Sequence, residues 1–222
     1  MIEKGILFGN VHSFRDLNLI LSKSEIPPAK PKTNFIDVPG ADSSLDATEV
    51  HGEVKFSDRD GAKFTFTMNP SDDLSNEGFE RKKTEVSNAL NGVYFERIVQ
   101  DKDSEYYYSG RCSIDNFLSD KRLRQIVVTA RLKPYKMKVD ETVVSKVLTS
   151  EEREVILTNK RKKVIPFITC TDDNTTIIFE GGTYMFNAGT FRNLGIQLKQ
   201  GDNFLKVSGT GVVEFRYREG DM

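Results

Sequence analysis

The sequence predicts a mostly β protein with a single helix, arranged as two domains. Three observations carry that expectation. Short stretches that alternate apolar and polar residues recur along most of the chain, and Gly-, Asp- and Asn-bearing turns separate them closely in the last third. Only one segment repeats its apolar residues at helical spacing. The third observation is length: 222 residues suit one large β domain or two small ones. Between Met137 and Lys163 the alternation weakens and charge rises, through Glu151-Glu152-Arg153-Glu154 and Lys160-Arg161-Lys162-Lys163. That places a junction near residue 140 and gives expected domains of 1–139 and 140–222.

Short apolar stretches at Gly5–Phe8 and Leu17–Leu21 open the chain. The segment Ser24–Pro39 then holds four prolines, which fix φ and remove backbone donors, so it is extended and cannot sit inside a central sheet. Two readings fit it: a long surface loop, or an arm that crosses onto a neighbouring subunit. Glu49–Phe56 and Ala62–Met68 alternate apolar and polar residues around Ser57-Asp58-Arg59-Asp60-Gly61, and Asp60-Gly61 signals a hairpin turn. The helix is expected at about 76–91. Ser75 suits its N-cap, Phe79, Val86 and Leu90 share a face, and Asn91-Gly92 is the stop. Its apolar stripe is thin, with Lys82 and Lys83 in the middle.

Strands follow at Val93–Val99, Tyr106–Ile114 and Arg122–Leu132, where Ile126, Val128, Ala130 and Leu132 share one face with Arg124 at the end of the row. The second domain reads as short strands at Val164–Thr169, Thr175–Phe179, Thr183–Ala188, Gly195–Leu198, Asn203–Val207 and Val212–Tyr217. Turns at Asp172-Asp173-Asn174, Gly181-Gly182, Gly189-Thr190, Gln200-Gly201-Asp202-Asn203 and Gly209-Thr210-Gly211 punctuate them, the pattern of a small β-sandwich.

Composition narrows the function classes. Fifteen Phe and seven Tyr suffice for one core or two modest ones, and Trp is absent. A formal net charge of −1 gives no global attraction to nucleic acid or to an anionic membrane. No apolar run approaches the roughly 18 residues that span a bilayer, and Met1–Phe8 does not read as a signal peptide. Cys112 and Cys170 are expected to be reduced thiols of a protein made in a cytoplasm, since a secreted disulfide scaffold is far denser in cysteine.

Residues that could carry chemistry are few. His12 and His51 lack a His, Cys or carboxylate at ligand spacing. Asp101-Lys102-Asp103-Ser104-Glu105 alternates like half of a calcium loop, but Tyr106 stands where the glycine belongs and Asn116 where the distal Glu belongs, so a hairpin turn is expected. Asp72-Asp73 suits the positive end of the helix. Gly209-Thr210-Gly211-Val212-Val213-Glu214 is a turn between strands, not a dinucleotide fingerprint. Tyr106-Tyr107-Tyr108 as a stacking platform is halved by strand alternation, and Lys160–Lys163 reads as a solvated linker face. No catalytic, cofactor-binding or metal-ligating residue is assigned, and no enzyme is expected.

An ordered set of phrases carries a resemblance. Ile36-Asp37-Val38-Pro39-Gly40 leads through a polar turn into Leu45-Asp46-Ala47-Thr48-Glu49; then come Arg59, Phe64-x-Phe66, the helix, Tyr108-Ser109-Gly110-Arg111 and Pro134-Tyr135-Lys136. Near the end stand Gly201-Asp202-Asn203, Gly209-Thr210-Gly211 and Tyr217-Arg218-Glu219-Gly220. Together, over nearly the whole chain, they resemble the distal tail (Dit) proteins of long, flexible-tailed bacteriophages and prophages. Ala41 and Ser43 depart from the Arg and Gly that the family often has there. No carbohydrate-binding insertion interrupts the chain, as one does in enlarged members.

The resemblance implies a virion structural protein of the tail tip, a homo-hexameric ring formed by a tail-tube-like N-terminal domain. That ring stacks on the tail tube above and on the tail-associated hub or lysin protein below. An outward-facing, galectin-like C-terminal sandwich can hold receptor-binding or baseplate proteins, and neither nucleic acid nor membrane is a partner. The alternative is a carbohydrate-binding sandwich acting in host adhesion, for which the C-terminal half offers Tyr184 and Tyr217 as ring platforms.

Overall fold

The computed structural model describes residues 5–50, 52–119 and 123–222. It is almost all β, with several antiparallel sheets and, among the described residues, one α-helix. The chain divides into two compact units, one ending at Lys136 and the other beginning at Met137.

The strands of the first unit are β1 (Ile6–Phe8), β2 (Val11–His12), β3 (Leu19–Glu25), β4 (Phe35–Ile36), β5 (Leu45–Asp46), β6 (Arg59–Met68), β7 (Tyr94–Gln100), β8 (Tyr106–Ser119) and β9 (Arg124–Leu132). All but β4 and β5 lie along one sheet path, β2-β1-β7-β8-β9-β6-β3. Alternation sends Ile6, Phe8, Phe64, Phe66, Ile126, Val128 and Leu132 to one buried cluster. Phe8 is its hub, with ring centroids 6.1 Å from Phe64, 6.2 Å from Phe66 and 5.6 Å from Phe95. Helix α1 (Asn76–Leu90) covers this cluster with Phe79, Val86 and Leu90. The Ser75 hydroxyl caps it by accepting from Gly78 N at 3.0 Å.

Lys82 sits on the buried face of α1 and is only 9% exposed. Its ammonium donates to Leu17 O at 3.1 Å and Glu85 Oε2 at 2.7 Å, and lies 3.1 Å from Asp72 Oδ2. Burial pulls its pKa down, but the bonds to the Glu85 and Asp72 carboxylates outweigh that and hold it above the usual lysine value. Asp72 thus serves a buried cation, while Asp73, its carboxyl lowered chiefly by hydrogen bonds from Ser75, lies beside the helix start.

Two expectations about β6 need correction. Ala62–Met68 is a strand, but its partners are β3 and β9, not Glu49–Phe56. Asp60-Gly61 is no hairpin turn. The β6–β9 register slips by one residue between Arg59 and Ala62, and Gly61, at φ +78°, lets Asp60 and Gly61 bulge opposite the single Arg131 of β9.

The second unit holds β11 (Thr142–Val147), β12 (Arg153–Asn159), β13 (Phe167–Cys170), β14 (Thr175–Phe179), β15 (Gly182–Phe186), β16 (Gly189–Phe191), β17 (Gly201–Ser208) and β18 (Val212–Tyr217). Near the unit boundary and the end of the chain lie the short strands β10 (Lys136–Lys138) and β19 (Gly220–Asp221). Two four-stranded sheets, β11-β18-β13-β16 and β12-β17-β14-β15, contribute to one buried cluster around Leu157, Ile168, Ile177, Leu205 and Phe215.

Several second-unit expectations also change. The stretch at 142–159 holds two edge strands, hidden because Val143, Val147 and Ile156 take outward positions and Lys146 an inward one, which spoils the apolar alternation. Gly195–Leu198 contributes a single bridge, Leu198 to Val164, and Gly189-Thr190 begins a strand where a turn was expected. Asn203 knots the start of β17. Its Nδ2 donates to Leu157 O at 3.0 Å, Lys199 O at 2.9 Å and Gly201 O at 3.0 Å, and its Oδ1 accepts from Lys199 N at 2.8 Å. Asn203→Ala strands several buried backbone groups, so about 2–4 kcal/mol of the second unit's stability should be lost in urea unfolding.

Candidate assembly surfaces

Between β3 and β6 the chain leaves the first unit's sheet as an arm, residues 26–58. Prolines at 27, 28, 31 and 39 keep it out of the sheet, and it folds on itself as a thin ribbon. Lys32 N bonds to Lys55 O at 2.7 Å, Ser57 N to Lys30 O at 2.9 Å, and β4 pairs with β5 through Phe35–Asp46 and Ile36–Leu45. The expected strand Glu49–Phe56 is therefore mostly the loose return leg of this ribbon, bridged to Pro31 at Phe56. Ala41 N donates to Val38 O at 3.1 Å, and Pro39-Gly40 fills the two central turn positions with Gly40 at φ +84°.

Arg59 pins the root. It is buried, and its guanidinium donates to Pro134 O and to Pro27 O, each at 2.9 Å, and stands 5.6 Å from the Tyr108 ring centroid. Arg59→Ala leaves these carbonyls without their donor and should cost about 2–4 kcal/mol in urea unfolding while increasing protease cleavage within the arm.

Five large apolar residues of the arm are exposed: Phe35 at 59%, Leu45 at 58% and Val50 at 70%, with Ile36 and Val38 somewhat less open. A two-stranded ribbon is marginal in water by itself, and apolar side chains displayed along one mark an interaction surface. The second unit also exposes apolar residues, among them the register partners Ile156 and Phe204, side by side on β12 and β17.

The residues screened for chemistry are spoken for. The fold brings Asp101 to His12, a pairing that sequence spacing could not show. His12 Nδ1 accepts from Phe14 N and Arg15 N at 3.2 Å each, so Nε2 carries the proton and points it at Asp101 Oδ1, 3.2 Å away. Asp101 Oδ2 accepts from Gly5 N at 2.7 Å. With both ring nitrogens engaged and the ring buried, the pair ties β1 and β2 to the β7–β8 turn and offers no free base. His51 lies outside the described residues.

Asp101 and Asp103 diverge, since Asp103 meets Lys136 at 3.2 Å. Among the described residues no group of three His, Cys, Asp or Glu side chains could hold a metal ion. Each tyrosine of 106–108 has a cation over its ring, from Lys136, Arg97 and Arg59 in turn. Tyr217 is buried with its hydroxyl on Thr158 O at 2.7 Å, and Tyr184 is half-buried with its hydroxyl on Gly195 O at 3.2 Å, so neither is an open platform. Lys160–Lys163 is no continuous basic face, because Lys162 is half-buried and burial lowers its pKa.

Both cysteines are free and buried. Burial pushes the Cys112 thiol up to about 12 and the Cys170 thiol upward as well. At pH 8 the folded chain should react with a thiol-alkylating reagent about a thousandfold more slowly at Cys112 than the unfolded chain does, as read by mass spectrometry.

No family model matches the chain, and no curated protein is similar to it. Among solved structures, the crystal structure of the Dit protein of phage SPP1, described as a paradigm of the hub adsorption apparatus in phages infecting Gram-positive bacteria, is similar with a TM-score of 0.68. The match covers 96% of this chain and 98% of that one at 12% identity. At that identity the likeness shows the fold alone: over nearly all of its length this chain is folded like the SPP1 Dit protein.

Proposed function

We propose that this chain is a structural protein of a bacteriophage tail tip, assembled as a homo-hexameric ring that connects the tail tube to the hub and host-recognition proteins. The N-terminal domain, to about residue 139, forms the ring. The domain 140–222 is a galectin-like sandwich that faces outward and carries attachment proteins. The observation that carries the reading is the arm, whose Phe35, Ile36, Leu45 and Val50 stand exposed in the single chain, joined to a fold shared over its whole length with a phage Dit protein. A ring built from one chain needs a heterologous contact that closes by rotation, and an extended arm supplies one half of it. Catalysis has no part in this reading, since His12 has both nitrogens engaged and the two cysteines are buried thiols with raised pKa.

Light scattering with negative-stain imaging tests it, on the protein alone and mixed with the tail-tube protein of the same phage. Rings of six copies are expected. A chain that stays monomeric in both preparations overturns the proposal.

A further inference from the structure

Deepening that reading, and resting on it, the structure also carries an acceptor for the arm. The outward faces of β7, β8 and β9 hold an open groove of about 540 Å³ lined by Tyr94, Arg111, Arg131 and Lys133, together with Asp58 and Asp60. Tyr94 pairs with Arg111, and Arg111 with Arg131, so an aromatic ring and two guanidiniums stand in one row across three strands.

Like charges directly opposite each other weaken a strand pair. Asp58 answers part of the charge, lying 3.3 Å from Arg131 Nε and 3.8 Å from Lys133 Nζ. Arg111 is held by uncharged groups, donating to Gly92 O and lying 5.9 Å from the Tyr94 ring centroid. Tyr94 itself is 44% exposed. A row of this kind is suited to a ligand that brings carboxylates and apolar side chains together.

The chain contains such a segment. Residues 33–54 of the arm include Asp37, Asp42, Asp46, Glu49 and Glu53 and no lysine or arginine, interleaved with the exposed Phe35, Ile36 and Leu45. None of these residues lines the groove of its own chain. We propose that the groove receives the arm tip of a second copy, with the arm's carboxylates on Arg111 and Arg131 and its apolar side chains against Tyr94. Each chain then gives an arm and takes one, a contact between two different surfaces that propagates around a ring.

Cysteine trapping between two differently marked full-length chains tests this. An Asp46→Cys chain is mixed under mild oxidation with a Ser113→Cys chain, which marks the groove, or with a Thr84→Cys chain, which marks the exposed side of α1. The native cysteines are buried and compete little. Covalent dimers are expected about tenfold faster with the groove mark than with the helix mark. Adding Arg111→Glu and Arg131→Glu to the groove-marked chain should erase that preference, and Asp37→Lys with Glu49→Lys on the arm should restore it.

If the arm cross-links to the helix mark as fast as to the groove mark, or if charge reversal changes nothing, the groove is not the seat, although the arm still joins copies. If it cross-links to neither, the arm reading falls as well. Should the reversed chain fail to fold, the comparison of the two marks decides alone.

Discussion

Replacing Phe8 with alanine is expected to cost the N-terminal unit about 3–5 kcal/mol, enough to remove much of a typical domain's stability. Phe8 is fully buried on the three-residue strand β1, and its ring lies edge-on or tilted against Phe64, Phe66 and Phe95. Those rings come from β6 and β7, strands that are not neighbours in the sheet path. Truncating Phe8 therefore removes the side chain on which separate parts of the sheet converge and leaves a cavity that rigid rings on three sides fill poorly. Urea unfolding of the variant should show the midpoint shift with little change in slope. A loss below about 1 kcal/mol would mean that the cluster collapses into the space, and that Phe8 is filler and not the hub.

The features readable in the sequence were the local ones. Ser75, Phe79, Val86, Leu90 and Asn91-Gly92 marked the helix because caps and helical spacing are written within about fifteen residues. Thr175–Phe179 and Val212–Tyr217 stand where alternation put them. Pairing was not readable. Residues 62–68 alternate equally well beside any partner, and Asp60-Gly61 signals positive φ without saying whether that serves a turn or a bulge.

Strands β11 and β12 were hidden because apolar residues (Val143, Val147 and Ile156) take outward positions while Thr142 and Lys146 face inward on β11, so the alternation that Val155 and Leu157 begin does not mark one apolar face. Asp101 could not be assigned to His12, nor Arg59 to Pro27 and Pro134, since these contacts exist only after the sheet has formed. For the assembly surface, four prolines marked Ser24–Pro39 as outside the sheet, which holds from residue 26 on, while Ser24 and Glu25 still pair with β6 as the end of β3. The exposure of Phe35, Leu45 and Val50 needed the folded ribbon to be seen.

The second large effect separates folding from assembly. Phe35→Asp with Leu45→Asp should leave the fold almost untouched, because both side chains are more than half exposed on a ribbon outside the core, and such surface changes stay within about 0.5 kcal/mol. The same pair should weaken self-association by about a thousandfold or more. Each residue would lose an anchoring apolar contact of about 2 kcal/mol, and two such losses compound. A control separates charge from the loss of apolar contact. Asp42→Asn with Glu53→Gln makes the arm less acidic without touching Phe35 or Leu45, and should shift assembly far less than the aspartate pair. Equal thermal midpoints by circular dichroism, combined with a large difference in sedimentation, would assign the apolar ribbon to contact between chains. A double variant that melts early while assembling normally would assign it to the fold, and the arm would then be a strap on its own chain.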